Sequence, residues 1–278
     1  MTLKVLTLNL WNTSGPWERR RPRVREWVDR LAPDLIGFQE VLKGPGIDMA
    51  GEILEGAGYE IEHGANEQTR DGIDFGNAVA SRWPILESDT VALPRGDRAE
   101  GRCAVSVTAD APFGPVSFTS THLNWKLHDG HSREQQVVAL ADAVLERRPR
   151  GGFPPVVVGD FNAEPHAAEI RFMTGLQSLD GRSAAFFDAW EVAGDGGLGI
   201  SWSNRNEYAA IALEPDRRID YIFAGYPVRM GEEHGLGKIE ACRVVCDDEV
   251  DGVWPSDHFG VYAEFRTEPL PRPAWTMS

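Results

Sequence analysis

The sequence predicts an α/β sandwich, with β-sheets stacked on one another and helices outside. Three observations predict it. Val156-Val157-Val158 is a β-branched run that ends abruptly in Gly159-Asp160-Phe161-Asn162. Strand interiors disfavour Gly, Asp and Asn, so the run marks a buried strand whose C-terminal edge opens on a cleft. Four more apolar segments carry acid, amide or imidazole in the same way: Leu6-Thr7-Leu8-Asn9, Leu35 to Glu40, Phe118 to Asn124, and Arg218 to Phe223. A fifth, holding Ser256-Asp257-His258, sits just before the last strand. These short strands interleave with amphipathic helical stripes, and no internal repeat or interdomain linker interrupts them.

In chain order, a strand over 3–10 leads to a helix expected to start near Pro22, a favoured first-turn residue. Val24, Trp27, Val28 and Leu31 recur at helical spacing as its buried stripe, with Arg23, Arg25 and Arg30 off it. Asp34 to Phe38 makes a short buried strand ending at Glu40. Residues 43–76 read as a helix near 47–56 and a Gly/Asp-rich loop, before a strand over 77–82. Strands near 103–109 and 116–121 are joined by the turn Ala111-Pro112-Phe113-Gly114-Pro115. Ser132 and Gln135 form a capping-box pattern, so the next helix is expected to begin at Ser132, with Val137, Leu140, Ala141 and Val144 on its apolar face. Strand 156–160 follows, then mostly helix and loop over 163–217, then strands over 218–224 and 260–266.

At 278 residues and 42% hydrophobic, the chain can bury a large core. Strand-end groups spread from Asn9 to His258 require one domain, expected over 1–268, with a Pro-rich tail over 269–278. Lys plus Arg number 28 against 43 Asp plus Glu, a net charge of −15 that disfavours non-specific binding of polyanions and favours cations near clustered carboxylates. Cys103, Cys242 and Cys246 have no zinc-ligand spacing, and their odd number does not suggest a disulfide framework. Met1 runs straight into the first strand, so no signal peptide is expected, and no apolar run reaches transmembrane length. A cytoplasmic location without an obligate protein partner is the expectation.

Taken singly, each polar residue has a bland reading: Asn9 in a turn, Glu40 as a cap, His122 as a satisfied histidine. Together at strand ends they form a set with chemical meaning. Hard cations such as Mg²⁺ take oxygen ligands, which suits Glu40 and Asn9. Phosphoester hydrolysis needs an activated water, neutralised phosphoryl oxygens and help for the departing oxygen. Asp160, His122 and His258 are the available acid-base and charge-stabilising groups, Asn162 can orient water or phosphate, and Asp220 is a candidate partner for His258.

The ordered set Asn9, Gln39-Glu40, His122, Gly159-Asp160-Phe161-Asn162, Asp220-Tyr221 and Ser256-Asp257-His258 resembles the endonuclease/exonuclease/phosphatase superfamily over nearly the whole chain. The resemblance implies a four-layer α/β sandwich of two mixed or antiparallel sheets packed face to face, and Mg²⁺-dependent attack of water on phosphorus, with Mn²⁺ as a possible substitute. It implies Glu40 as the main metal ligand beside Asn9, and Asp257 as a metal ligand or orienting group. Asp160 and Asn162 would activate or orient the water. His258, held by Asp220, would meet the phosphoryl oxygens, and His122 would stabilise the leaving group. A phosphodiesterase is the leading expectation. A nuclease or nucleic-acid end-processing enzyme, a sphingomyelinase-like phospholipid phosphodiesterase, and a non-catalytic binding module of the same fold are its alternatives.

Departures bear on the substrate. Trp11 stands where abasic-site endonucleases tend to carry an acid, and His122 where they carry Tyr. Asn124, Trp125, Trp202 and Asn206 lie on loops beside site strands and are candidate substrate-binding residues, with aromatic rings that could stack on a base or simply pack a loop. The basic run Arg19, Arg20, Arg21, Arg23 and Arg25 reads as a solvated face, as does the acidic run Asp247 to Asp251.

Overall fold

The computed structural model describes residues 1–68, 71–95, 100–147, 152–229 and 231–271. Most of the expected tail lies outside the described residues. The chain runs β1 (Thr2–Asn9), α1 (Trp17–Leu31), β2 (Leu35–Gly44), β3 (Ile47–Asp48), α2 (Met49–Ile53), β4 (Glu60–Gln68) and β5 (Asp74–Ser81). It continues with β6 (Ile85–Leu93), β7 (Arg102–Ala111), β8 (Gly114–His122), α3 (Gly130–Glu146) and β9 (Val156–Asp160). The last third holds α4 (Ala168–Met173), β10 (Phe187–Asp188), α5 (Ala189–Ala193), α6 (Glu207–Ala210), β11 (Asp220–Ala224), β12 (Ile239–Val245) and β13 (Gly260–Arg266).

Among the described residues these strands form two mixed sheets, one ordered β12-β13-β1-β2-β5-β4 with β3 beside β2, the other β10-β11-β9-β8-β7-β6. Val5, Leu35 and Val79 from the first sheet meet Val105, Phe118, Val156 and Val158 from the second in a shared core. On the outer faces, Leu6, Leu8 and Phe38 pack with Val24, Trp27 and Val28 of α1, while Val157 and Phe223 pack with Val137, Leu140 and Val144 of α3. Helix, sheet, sheet and helix make the four layers of the expected sandwich. Burial on both faces explains why Val156 to Val158 is uniformly apolar rather than alternating. The sheets approach closely at Gly37, where a Cβ would lie 2.4 Å from Val158 Cγ2.

Several local expectations are corrected. α1 begins at Trp17, and Pro22 lies inside it. The N–H that Pro22 lacks would have bonded the carbonyl of Glu18, an exposed residue. The basic run is only partly a solvated face, with Arg19 exposed and Arg21 and Arg25 half-buried. Arg20 is fully buried, and Arg23 is nearly so against Glu26 and Asp248. Asp248 also accepts from Trp27 Nε1 at 2.7 Å, which ties the acidic run to α1. α3 starts at Gly130, so Ser132 is a buried first-turn residue rather than a cap. The stretch read as helix and loop over 43–76 contains β4, and β6 and β12 were not anticipated.

Candidate active site

Topology brings the polar strand ends to one edge. β1 runs parallel to β2 and β8 parallel to β9, so each pair ends together, with Asn9 opposite Gln39 and His122 opposite Asp160. β11 is antiparallel to β9, so its first residue, Asp220, meets the last of β9, Asp160. A bulge completes the set. Phe38 faces Ala78 but Val41 faces Gly76, leaving one extra residue in β2. Gln39 stays inside, donating to Ser120 Oγ across the sheets at 3.0 Å, while Glu40 takes a left-handed φ of 56° and turns into the cleft. Gly159 is required by close approach, because its φ is 148° and a Cβ there would sit 1.9 Å from Thr121 O.

The resulting cleft, about 330 Å³, is lined by Glu40, His122, Asp160, Asn162, Asp257 and His258 among others. Asp160 is at its centre. Its Oδ1 accepts the Asn162 N–H at 2.8 Å. Its Oδ2 faces Asn9 Nδ2 at 3.1 Å, His122 Nε2 at 3.4 Å and His258 Nε2 at 3.7 Å. Burial and the neighbouring Asp220 carboxylate lift the Asp160 carboxyl to about 6, against the pull of His258 and the Asn162 and Asn9 hydrogen bonds.

The two imidazoles differ in what stands behind them. His258 Nδ1 is 2.9 Å from Asp220 Oδ2. Burial disfavours its charged form, but Asp220, Asp160 and Asp257 together outweigh that and raise it to about 10. His122 Nδ1 instead faces Arg102 Nη1 at 3.1 Å. Burial, then Arg102, then His258 push its pKa well below the usual imidazole range.

The opposite wall is carboxylate. Glu40 accepts from Asn9 Nδ2 at 3.3 Å and Asn12 Nδ2 at 2.9 Å, both neutral donors. Asp257 is nearly buried, accepts from Ser256 Oγ at 3.1 Å, and is raised to about 7, first by burial, with His258 opposing and Glu40 adding to the rise. Two carboxylates that repel one another, held by amides and a hydroxyl, fit a hard divalent cation. Asp160, Asp220 and His258 also come within mutual ligand distance, but the facing atoms of His258 and Asp220 are taken up by their hydrogen bond. Asn9 differs from its expected place as an oxygen ligand. Its Oδ1 accepts the Trp11 N–H at 2.9 Å, and a backbone N–H can only donate, so Nδ2 must face the carboxylates.

Of the candidate substrate-binding residues, Trp125 and Trp202 line the cleft. Trp125 is 52% exposed, and Trp202 sets its ring edge-on to His258 at 4.8 Å. Asn124 and Asn206 are fully buried and do not line it. Asn124 pairs with Gln136, and Asn206 caps α6 while donating to the Ser256 and Asp257 carbonyls, so it braces the Ser-Asp-His loop. Sequence reasoning missed Arg102, Asn12 and Arg20. Arg20 is a hub that donates to the carbonyls of Leu10, Asn12, Ser14 and Pro255, fixing both loops around Asn9 and Asp257. Asn12 follows Asn9 by three residues and was legible as a second carboxamide. Arg102 carried no comparable signal.

A buried carboxylate with a raised pKa between two imidazoles, beside a carboxylate wall suited to a divalent cation, is the equipment of a metal-dependent phosphoester hydrolase. The family model described as the endonuclease/exonuclease/phosphatase family matches residues 6–258, and the chain belongs to that family. Comparison with curated protein sequences gave no match. Among solved structures, the chain is similar to TDP2 of D. rerio complexed with single-strand DNA product, at 17% identity and TM-score 0.76, covering 95% of this chain and 99% of that one. It is similar to an endonuclease/exonuclease/phosphatase from Bacteroides vulgatus (19% identity, TM-score 0.73, 96% of this chain and 99% of that one). It is also similar to the human Nocturnin catalytic domain with bound sulfate (20%, 0.70, 95% and 93%). At these identities the shared property is the fold. No helix among the described residues is long and apolar enough to cross a membrane.

Proposed function

We propose that the chain is a Mg²⁺-dependent phosphodiesterase, with 1–268 as its catalytic unit. The observation that carries this is the convergence of Asn9, His122 and His258 on one oxygen of Asp160, beside Glu40 and Asp257. Glu40 and Asp257 would hold the cation, and Asn9 would orient Glu40 against Asp160. When bound, Mg²⁺ supplies Lewis-acid polarisation of the phosphoryl oxygens.

Asp160, at about 6, is ionised and still basic at neutral pH, so it takes a proton from the attacking water as the oxygen–phosphorus bond forms. Asn162 holds the other carboxylate oxygen through its N–H and so fixes the direction of attack. His258, protonated against Asp220, meets the charge that develops on the phosphoryl oxygens. His122 donates toward the departing oxygen. Oxygen-only groups on the carboxylate wall support Mg²⁺ over softer metals.

A second reading, a nuclease or end-processing enzyme, is favoured by the half-exposed Trp125 on the cleft wall, with Lys126 Nζ 5.7 Å from its ring centroid, a surface on which a base could stack. The D. rerio TDP2 relative with its single-strand DNA product points the same way. The test is hydrolysis of bis(p-nitrophenyl) phosphate, p-nitrophenyl phosphate, single-stranded oligonucleotides and sphingomyelin, with Mg²⁺ and with chelator. Mg²⁺-dependent cleavage of diesters ahead of the monoester supports the proposal. Monoester preference, or full activity in chelator, overturns it. Cleavage confined to the oligonucleotides promotes the second reading.

A further inference from the structure

Arg102 lies at the start of β7, nearly buried, with its guanidinium shared between two neighbours. Nη2 donates to Glu100 Oε1 at 2.5 Å, and Nη1 faces His122 Nδ1 at 3.1 Å. A guanidinium has donors and no acceptor, so a hydrogen bond to Nδ1 requires the imidazole nitrogen to offer its lone pair. The remaining ring proton is then on Nε2, which is the atom that points at Asp160 Oδ2. The groups facing this ring are thus Arg102 behind, Asp160 in front and the His258 imidazole nearby.

We infer that Arg102 is a positioning residue that locks His122 in its Nε2–H tautomer and makes it a fixed, uncharged hydrogen-bond donor to the reacting phosphoester. This rests on the phosphoesterase reading for its catalytic consequence and on geometry alone for the tautomer. Two effects follow. The ring cannot flip or move its proton to Nδ1 without losing the Arg102 bond, so the donor is preorganised. A cation hydrogen-bonded to Nδ1 also draws electron density from the ring and strengthens the Nε2–H donor. A neutral imidazole that donates has no spare proton to release, so His122 steadies the leaving oxygen by hydrogen bonding. It does not transfer a proton to it; as the scissile bond to phosphorus breaks, the departing oxygen takes its proton from solvent water.

The test uses the full chain labelled with ¹⁵N-histidine. Nitrogen chemical shifts of His122, assigned by comparison with His122→Gln, should show a protonated Nε2 and an unprotonated Nδ1, unchanged over about pH 5 to 8 where a free imidazole titrates. In Arg102→Met the ring should regain titration or mix tautomers. Its kcat on the best diester should fall about tenfold with little change in KM, since a weakened donor matters in the transition state. Arg102→Lys, which keeps a cationic donor, should recover part of both. His122→Gln places an amide N–H near the Nε2 position and should retain more turnover than His122→Ala, as a donor can be replaced where a proton source cannot. An Nδ1–H tautomer or a cationic His122 in the parent protein overturns the inference. So does an Arg102→Met variant with unchanged spectra and kcat. Should the parent hydrolyse no phosphoester, the functional reading fails while the nitrogen shifts still decide the tautomer.

Discussion

His122 and His258 both direct Nε2 at Asp160 Oδ2, at 3.4 and 3.7 Å, and both are buried. Behind one ring stands the Arg102 guanidinium, behind the other the Asp220 carboxylate. The first ring is held neutral and the second is raised to about 10. Residue type and first contact are therefore the same, and the second contact decides the role. In the proposed mechanism one histidine would supply charge to the phosphoryl group and the other a hydrogen bond. Two like rings would thus serve two functions without a second kind of residue.

Breaking the charged side should give the largest effects. His258→Ala removes the cation, and Asp160→Asn keeps the shape while removing the base. Each should cost about 10²- to 10⁴-fold in kcat on the best substrate, typical of a positioned acid-base or electrostatic group. Because both would act on one transition state, the double variant should lose less than the product of the single losses. Circular dichroism on each variant separates lost chemistry from lost fold. Near wild-type turnover in both folded variants would remove the pair from the mechanism.

Replacing only the rear partner should be milder. Asp220→Asn retains an acceptor for His258 Nδ1 but removes the charge that helps hold the ring protonated. A loss of about 10- to 10²-fold in kcat is expected, below that of His258→Ala. Equal losses in the two variants would mean that Asp220 does more than support the imidazole.

The same contrast predicts how stability changes with pH in the metal-free protein. An unfolded imidazole titrates near 6.5, while folded His258 titrates at about 10. The folded state keeps a proton that the unfolded state has lost, so the stabilisation is complete below 6.5 and disappears as pH rises through 10. Asp160 and Asp257, raised from 3.8 to about 6 and about 7, act in the same direction at lower pH, because their protonated forms favour the folded state. His122, whose folded pKa is lowered, acts in the opposite direction up to about pH 7, so the urea midpoint should decline from about pH 7 to pH 10, and His258→Ala should flatten the upper part of that decline. A midpoint that rises with pH over this range would contradict the assigned protonation of His258.

The charged side was far more legible in the sequence than the neutral one. Asp160 and Asp220 sit at the ends of apolar strands and His258 closes the Ser256-Asp257-His258 segment, so strand propensity together with the family motif singled them out. Arg102 opens a strand like many surface arginines, and its role exists only because β7 pairs with β8 and brings it behind His122. Arg20 was misread for a related reason. A buried arginine that satisfies backbone carbonyls of distant loops has the same local pattern as a solvated one. The central strands were legible because both their faces are covered. β4 and β6 are edge strands, and β6 carries Leu86, Glu87 and Ser88 exposed in succession, so neither apolar run nor clean alternation announces it. The bulge that aims Glu40 also has no local signature, since a left-handed glutamate looks like any other strand residue until its partner strand is known.

The smallest expected effect lies on the carboxylate wall, where Glu40 is oriented by neutral amides and not by ions. Asn12 donates to Glu40 Oε2 at 2.9 Å and has a left-handed φ of 38°. Asn12→Ala would mix loss of the amide with backbone strain, because a Cβ disfavours that conformation. Asn12→Gly removes the amide and keeps the backbone permitted. A hydrogen bond to a charged group contributes about 1.5–3 kcal/mol at most, and Glu40 is only partly buried, so water can replace much of it. The variant should need about two- to tenfold more Mg²⁺ for half-maximal activity, while kcat at saturating Mg²⁺ stays within about twofold. Asn9 spans Glu40 and Asp160, so Asn9→Ala should disturb both metal affinity and kcat. If Asn12→Gly lowers kcat at saturating metal as severely as Asn9→Ala does, Asn12 acts on the reacting centre itself, and the division into an orienting wall and a reacting wall fails.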